Sequence, residues 1–318
     1  MLTSLIVLIL GFAALVWSAD RFVFGAAALA RNFGVPTLII GLTIVAMGSS
    51  APEMMVAAQA ALADKTDTAV GNVVGSNIAN VLLVLGVTAL IRPLAVSSGI
   101  LKREMPILIL VSLAAWYIVS DNHFSFAEGA ALMVGFVLFL LGLIYITKNN
   151  KDLDDPLVSE TLEEVPQGVP TSKALLWLVI GMVLLPVSSG LLIDAAVDIA
   201  KYFGMSDLLI GLTIIAVGTS LPELAACIAG ALKKEDDLAL GNIIGSNIFN
   251  ILAVLSLGGL INPATIDPAV ASRDIYFMLA AALVLVVMSL NFRGARRINR
   301  LEGGLLVTSF VGYMYFII

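Results

Sequence analysis

The sequence predicts an all-α membrane protein with ten transmembrane helices, arranged as two inverted repeats of five helices each. Three observations predict this class. Of the 318 residues, 60% are hydrophobic and 13% are charged, whereas soluble domains carry about 25% charged residues. Apolar stretches of about 20 residues, long enough to cross ~30 Å of hydrocarbon, recur along nearly the whole chain. The third observation is an internal repeat.

Apolar runs bounded by charged residues or by Gly and Pro define the predicted helices. In the first half they cover residues 2–30, 37–63, 69–91, 104–120 and 126–147. In the second half they cover residues 174–200, 207–232, 239–261, 274–291 and 303–318. The first run starts with MLTSLIVLIL and has no basic residue there, so it is interpreted as a long membrane span rather than a removable signal peptide.

A polar segment at residues 148–173 separates the two halves. It is charged and contains proline, so it is predicted to stay outside both the lipid and the packed core. The chain therefore divides into a first repeat at 1–147, a linker at 148–173 and a second repeat at 174–318. The net charge of -6 resides in loops and linker and gives no reason to expect a nucleic-acid partner.

The internal repeat is clearest between residues 38–80 and 208–250. Aligned without a gap at an offset of 170, these segments are identical at 22 of 43 positions. Each repeat has five spans, an odd number, so the second repeat must enter the membrane from the opposite side. Inverted repeats of this kind are common in transporters.

The distribution of lysine and arginine predicts the orientation. Thirteen of these residues lie in loops on the same side as the linker, and only Lys65, Lys201 and Arg273 lie in loops on the other side. Because cytoplasmic loops carry the excess of positive charge, the linker is predicted to be cytoplasmic and both termini outside.

Each repeat places a glutamate inside an apolar run, within GSSAPE at Gly48–Glu53 and GTSLPE at Gly218–Glu223. An ionised carboxylate in hydrocarbon costs several kcal/mol unless a cation, a proton or a polar cavity compensates it. The prolines, Pro52 and Pro222, lack the N–H that a helix uses, so nearby carbonyls are predicted to lose their partners and to become available to an ion. Hydroxyl oxygens are added by Ser49, Ser50, Thr219 and Ser220.

The next helix of each repeat carries a second polar motif, GNVVGSNIAN at Gly71–Asn80 and GNIIGSNIFN at Gly241–Asn250. Polar residues spaced by four lie on one helix face. These residues are Asn72, Ser76 and Asn80 in the first repeat and Asn242, Ser246 and Asn250 in the second. The glycines at 71, 75, 241 and 245 are predicted to let another helix approach closely.

Together the repeats supply two carboxylates with hydroxyl, amide and carbonyl oxygens, which is the ligand set of a hard cation. Two negative charges balance one divalent cation, or monovalent cations with help from neutral oxygens. The residues leave other readings open: a proton-driven cation antiporter, a channel, or an intramembrane enzyme with the glutamates as acid and base. The enzyme reading lacks a nucleophile beside a base. Simple structural readings of the motifs are a proline kink with back-bonded hydroxyls and a protonated glutamate.

At GTSLPE and GNIIGSNIFN the sequence resembles the cation/calcium exchangers, specifically the prokaryotic sodium/calcium exchangers, and the resemblance covers the whole chain. It implies a secondary antiporter of the prokaryotic inner membrane that exchanges sodium for calcium by alternating access, with helices one and six sliding across the core. It implies no cofactor, and its partners would be calcium, sodium and the lipid bilayer. The oligomeric state does not follow from it.

The resemblance also implies the ion ligands. Glu53 and Glu223 would bind calcium and share sodium. Backbone carbonyls would come from Ala46, Ser49, Ala216 and Thr219, and side-chain oxygens from Ser50, Ser76, Asn80, Ser220, Ser246 and Asn250. Asn250 stands where some relatives have aspartate, which argues against potassium co-transport.

Overall fold

Runs of Leu, Ile, Val and Ala form helices here because a backbone surrounded by lipid has to satisfy its own hydrogen bonds within the segment. A computed structural model describes residues 2–35, 40, 44, 47–96, 100–149, 165–234, 236–290 and 297–318. Seven helices in these ranges are long and apolar enough to cross a membrane. The predicted class of a polytopic, helical membrane protein is therefore confirmed.

The helices are named α1 to α10 in chain order. Their bounds are α1 Leu2–Asn32, α2 Ala51–Leu62, α3 Thr66–Ile91, α4 Ile100–Glu104 with Met105–Val119, α5 Phe126–Asn149, α6 Thr171–Tyr202, α7 Asp207–Lys233, α8 Asp236–Phe249 with Asn250–Val254 and Leu255–Ile261, α9 Val270–Leu290, and α10 Arg300–Ile317. Most of these bounds agree with the predicted spans to within about four residues. Of the predicted helix at 37–63, the helical part within the described residues is α2.

Burial separates central helices from peripheral ones. In the most apolar stretch of α3 and α8, 78% and 83% of the residues are buried, against 28%, 17% and 33% in α1, α5 and α6. The peripheral helices leave large side chains exposed, as expected of helices that face lipid. The two helices that carry the GSN motifs, which are the Gly-Ser-Asn triplets at 75–77 and 245–247, therefore lie in the core.

Glycines allow close contacts between α3 and α7. A Cβ added at Gly71 would lie 2.7 Å from the Leu208 carbonyl oxygen, and one at Gly75 would lie 2.7 Å from the Leu212 carbonyl oxygen. The predicted close approach is thus confirmed for these two positions. It is wrong for Gly245, where an added Cβ would have nothing within 4 Å.

Local irregularities of the backbone recur 170 residues apart. One π-helical turn, Asn80–Val84, follows the first GSN motif, and another, Asn250–Val254, follows the second. A second pair of π-helical turns lies at Ile100–Glu104 and Val270–Asp274. Residues with a left-handed backbone conformation also occupy equivalent positions, which are Gly34 and Gly204, and Asp64 and Lys234. The repetition of sequence is therefore also a repetition of backbone conformation.

Short antiparallel strand pairs join the two halves. The strand β1 (Leu94–Ala95) pairs with β4 (Arg297–Ile298), and β2 (His123–Phe124) pairs with β3 (Ala264–Thr265). The sequence did not predict them, because two-residue strands carry no periodic signal. Phe124, Leu94 and Ile298 are fully buried, so these pairings close the ends of the core.

The last part of the linker packs against the first repeat. Val165 is buried beside Ala27 and Ile40, and the Pro166 carbonyl accepts a hydrogen bond from Arg31 Nη1 at 3.3 Å. The expectation that the whole segment 148–173 stays unpacked is therefore wrong at this end. One apolar residue outweighs the surrounding polar composition because it meets an apolar site.

Candidate cation-binding site

Two buried glutamates define the candidate site. Glu53 lies in the first turn of α2, and Glu223 lies in the first turn of the α7 segment Leu221–Lys233. Both are 0% exposed, and their carboxylates are close enough to interact electrostatically. Within the described ranges, none of the four carboxylate oxygens has a donor at hydrogen-bond geometry, although the hydroxyl groups of Thr219 and Ser246 lie near Glu53 and Glu223, respectively. Buried carboxylates without donors destabilise a fold, so this pair requires a compensating cation or proton.

Serines at the two helix starts leave their hydroxyl groups unused by the protein. Ser50 and Ser220 occupy the N-cap positions of α2 and of the Leu221–Lys233 segment. A serine at this position normally accepts a hydrogen bond from a backbone N–H of the first turn. Neither side chain does so, and neither Oγ atom has a partner among the residues that the structure describes. Both hydroxyl groups are therefore available to a ligand.

Hydroxyl groups also meet across the two repeats. Ser49 Oγ lies 3.5 Å from Ser246 Oγ, and Ser76 Oγ lies 3.5 Å from Thr219 Oγ1. The two contacts are equivalent, since 170 residues separate Ser49 from Thr219 and Ser76 from Ser246. The segments GSSAPE and GTSLPE are called the kink motifs below. Each kink motif thus touches the GSN motif of the other repeat, which brings these predicted site residues together.

The backbone carbonyls do not all behave as predicted. The Ala216 carbonyl accepts hydrogen bonds from the Ser220 N–H at 3.1 Å and from Thr219 Oγ1 at 3.4 Å. The prediction that Pro222 frees nearby carbonyls is therefore wrong at Ala216, because the helix continues to Thr219 before it is interrupted. The equivalent Ala46 lies outside the described residues.

Four asparagines form a crosswise network between α3 and α8. Asn80 Nδ2 donates to Asn247 Oδ1 at 3.0 Å, and Asn250 Nδ2 donates to Asn77 Oδ1 at 3.1 Å. Asn77 Nδ2 donates to the Asn247 carbonyl at 3.2 Å, and Asn247 Nδ2 donates to the Asn77 carbonyl at 3.3 Å. All four side chains are at most 2% exposed. The amide nitrogens of Asn80 and Asn250 form hydrogen bonds in this network, whereas their amide oxygens do not.

Oxygens that lack a partner therefore recur in both repeats. In the described part of the chain, buried side-chain oxygens without a partner include three equivalent pairs: Ser50 and Ser220, Glu53 and Glu223, and Asn80 and Asn250. Asn122, Ser189 and Ser289 also carry such an oxygen, but their equivalent positions in the other repeat hold no polar residue. Buried polar atoms are rarely left without a hydrogen bond. The same omission at equivalent positions of two repeats indicates that a ligand completes these atoms.

Sequence reasoning missed Asn77 and Asn247. They lie one residue from Ser76 and Ser246, about 100° around the helix, so a spacing of four residues does not place them on the predicted polar face. The signal in the sequence that could have identified them is the Gly-Ser-Asn triplet, which occurs in both repeats of this chain. Asn72 behaves as its spacing predicted, because its Oδ1 accepts from Thr219 Oγ1 at 3.3 Å. Asn242 instead donates to Cys227 Sγ at 3.5 Å.

The chemistry of the site follows from this inventory. Within the described ranges, no three His, Cys, Asp or Glu side chains cluster as a conventional metal site. The site combines two carboxylates with neutral hydroxyl and amide oxygens. Hard cations such as calcium and sodium take such oxygen ligands, and one divalent cation would neutralise the two carboxylates.

The chain matches a known family over both halves. The sequence model of the family described as "Sodium/calcium exchanger protein" matches residues 3–145 and 173–318. The matched segments leave out most of the linker.

Similar proteins cover nearly the whole chain. CaxA of Alkalimonas amylolytica, a protein named as an antiporter, is 58% identical over 315 residues, which is 99% of this chain and 98% of CaxA. The inner membrane protein YrbG of Escherichia coli K12 is 43% identical over 315 residues, covering 99% of this chain and 96% of YrbG. A solved structure of the sodium-calcium exchanger NCX_Mj superposes with a TM-score of 0.63 at 30% identity, over 98% of this chain and 97% of that one.

Proposed function

The chain belongs to the sodium/calcium exchanger protein family, and on that premise we propose that it is a secondary antiporter that exchanges sodium for calcium across the membrane. The observation that carries the proposal is the set of unpartnered oxygens at equivalent positions of the two repeats, around Glu53 and Glu223. CaxA is named as an antiporter and NCX_Mj as an exchanger, so the enzyme reading is set aside.

The proposed ligands are the groups that the protein leaves without partners. Glu53 and Glu223 supply the charge, and neutral oxygens come from Ser50, Ser220, Asn80 and Asn250. The hydroxyl pairs Ser49–Ser246 and Ser76–Thr219 lie beside them and complete the proposed set. Two carboxylates can neutralise one calcium ion or two sodium ions, but not both at once. This competition for the same charges couples the two ions to each other.

Contacts between loops support a topology of ten spans in two inverted repeats. On the side predicted to hold the linker, β1 pairs with β4, and Arg92 forms an ion pair with Asp236. On the opposite side, β2 pairs with β3, and Thr66 Oγ1 donates to the Asn262 carbonyl at 3.0 Å. Each of these contacts joins two loops or helix ends that the proposed topology places on the same side. In this topology both termini lie outside.

Packing of the two longest helices supports alternating access. A Cβ added at Gly11 of α1 would lie 3.3 Å from Leu192 Cβ of α6, and one at Gly181 of α6 would lie 2.5 Å from Phe22 Cβ of α1. These contacts are equivalent, with 170 residues between the partners, and they hold α1 and α6 together. We propose that the pair slides as one body across the core and opens the site to one side at a time.

The position of α1 and α6 is asymmetric. The ring of Phe12 occupies the position that a Cβ at Gly218 would take, so α1 covers the second kink motif closely. The equivalent side chain on α6, Met182, is 56% exposed. This offset is what a sliding pair would show when it rests at one end of its movement.

The test is calcium transport by the purified protein in liposomes. Uptake of radioactive calcium should require sodium inside the vesicles, should fall to background when choline replaces sodium, and should persist with a protonophore. Uptake that ignores sodium and disappears with the protonophore would assign proton exchange instead. No uptake under either gradient would reject antiport.

A further inference from the structure

We infer that Asn77 and Asn247 are positioning residues that turn the amide oxygens of Asn250 and Asn80 toward the transported cation. Neither residue is among the proposed ligands. The inference deepens the proposed function and rests on it, because it assumes that Asn80 and Asn250 face a bound cation.

A backbone carbonyl determines the orientation of Asn77. The carbonyl oxygen of Asn247 can only accept a hydrogen bond, so the Asn77 atom that lies 3.2 Å from it must be Nδ2. The other branch of the Asn77 amide is then Oδ1, which can also only accept. Asn250 must therefore present Nδ2 to it, at 3.1 Å. The Asn250 oxygen is left to face the other way, where no described group bonds it.

The same chain of contacts runs in the opposite direction. The Asn77 carbonyl orients Asn247 through Nδ2 at 3.3 Å, and Asn247 Oδ1 then requires the Asn80 Nδ2 at 3.0 Å. Each positioning residue therefore acts on a ligand of the other repeat. The second N–H of Asn77 is also occupied, by Met278 Sδ at 3.7 Å, which opposes rotation of its amide.

Orientation matters because the two ends of a carboxamide have opposite polarity. The torsion that rotates an asparagine amide has broad, nearly two-fold minima, so an unrestrained side chain can present either end. An N–H directed at a cation repels it. When the ligand side chains are already held in the binding orientation, ion binding costs less free energy for ordering them.

The network also restricts the charge of the site. Because Asn77 Oδ1 and Asn247 Oδ1 accept, positions 250 and 80 have to donate, which a neutral amide does and an ionised carboxylate does not. The fixed negative charge is thereby limited to Glu53 and Glu223. This charge matches one divalent cation.

Double-mutant cycles on the full-length protein test the inference. The readout is the calcium dissociation constant of purified protein without sodium, with the thermal unfolding midpoint as a measure of folding. Asn77→Leu should weaken binding roughly tenfold in the wild-type background, since it releases one ligand, and less than about twofold in an Asn250→Ala background. Asn247→Leu should behave in the same way with Asn80→Ala.

The matched control is the pair on one helix. Asn77 does not orient Asn80, so the effects of Asn77→Leu and Asn80→Ala on the dissociation constant should multiply. A purely structural role for Asn77 would weaken binding equally in every background. The inference is overturned if Asn77→Leu weakens calcium binding equally in every background. It is also overturned if the coupling between Asn77 and Asn80 is as large as that between Asn77 and Asn250.

Two further results are separable. Calcium binding by the wild type without crosswise coupling would reject the positioning role and leave the antiporter proposal standing. A wild-type protein that binds no calcium would overturn both. If Asn77→Leu does not fold, Asn77→Ser keeps a small hydrogen-bonding group there, and the same cycles are measured with it.

Discussion

At the scale of single residues, the candidate site consists of buried groups that destabilise the folded protein when no cation is bound to them. Glu53 and Glu223 are both 0% exposed, and none of their oxygens has a partner among the described residues. Desolvation of such carboxylates opposes folding unless a counter-charge is present. A cation that binds only the folded state should therefore also stabilise it.

Replacing either glutamate tests this balance of charge. Glu53→Gln and Glu223→Gln should each reduce sodium-driven calcium flux by at least about a hundredfold, because one remaining carboxylate cannot neutralise a buried divalent ion. The folded protein should persist, since the substitution removes the cost of burying a charge. Calcium should no longer raise the unfolding temperature, which thermal denaturation with and without calcium measures.

Glu128→Gln is the matched control. Glu128 lies outside the site, at the start of α5, where its carboxylate accepts from the Ser125 N–H at 2.8 Å and from Ser125 Oγ at 2.7 Å. Its flux should equal that of the wild type. Substantial exchange by either site variant would exclude a site with two carboxylates.

At the scale of elements, a single glycine decides how closely α1 approaches α7. The ring of Phe12 occupies the space where a side chain at position 218 would begin. Inserting a methyl group into such a contact costs about 1–3 kcal/mol by overpacking. The first glycine of GTSLPE therefore has a packing role in addition to its place in the kink motif.

Gly218→Ala should lower both exchange and the unfolding temperature, by several degrees. Truncation of the opposing ring should relieve the clash, so Phe12→Ala combined with Gly218→Ala should recover part of both losses. Gly142→Ala is the control, because an added Cβ there has nothing within 4 Å. Liposome flux and thermal unfolding measure the series.

The result would contradict the contact if Gly218→Ala behaved like Gly142→Ala. The contact would also be contradicted if Phe12→Ala lowered exchange and the unfolding temperature by as much in the Gly218→Ala background as in the wild type, because the effects of independent sites add.

At the scale of the whole molecule, the proposed inverted topology requires equivalent loops to face opposite sides of the membrane. Ala63 and Lys233 are equivalent, exposed positions that follow α2 and end α7. They suit cysteine labelling better than their neighbours Asp64 and Lys234, whose left-handed backbone would strain a cysteine.

Single cysteines at these positions, in a Cys227→Ser background, should react from opposite sides. Cys227 is the one cysteine of the sequence, so the background carries no other thiol. Ala63→Cys should label with a membrane-impermeant maleimide in intact cells, and Lys233→Cys only after permeabilisation. Labelling of both in intact cells would exclude an odd number of spans between them.

The sequence by itself determined the properties that are written along the chain. The apolar length of each segment determined the class and most helix bounds, because crossing hydrocarbon requires about 20 residues. The 170-residue repeat identified both glutamates and their neighbouring hydroxyls, because it duplicated GSSAPE and GTSLPE in places where polar residues are costly.

Only the tertiary structure decided which groups meet and which ends of them face the site. The partners of Ser49, Asn77 and Asn80 lie in the other repeat, and periodicity within one helix carries no information about the facing helix. The orientation of the Asn250 amide depends on the Asn247 carbonyl, two contacts away. Hydrogen-bond polarity is transmitted through space from one buried group to the next, so it exists only once the two repeats are packed together.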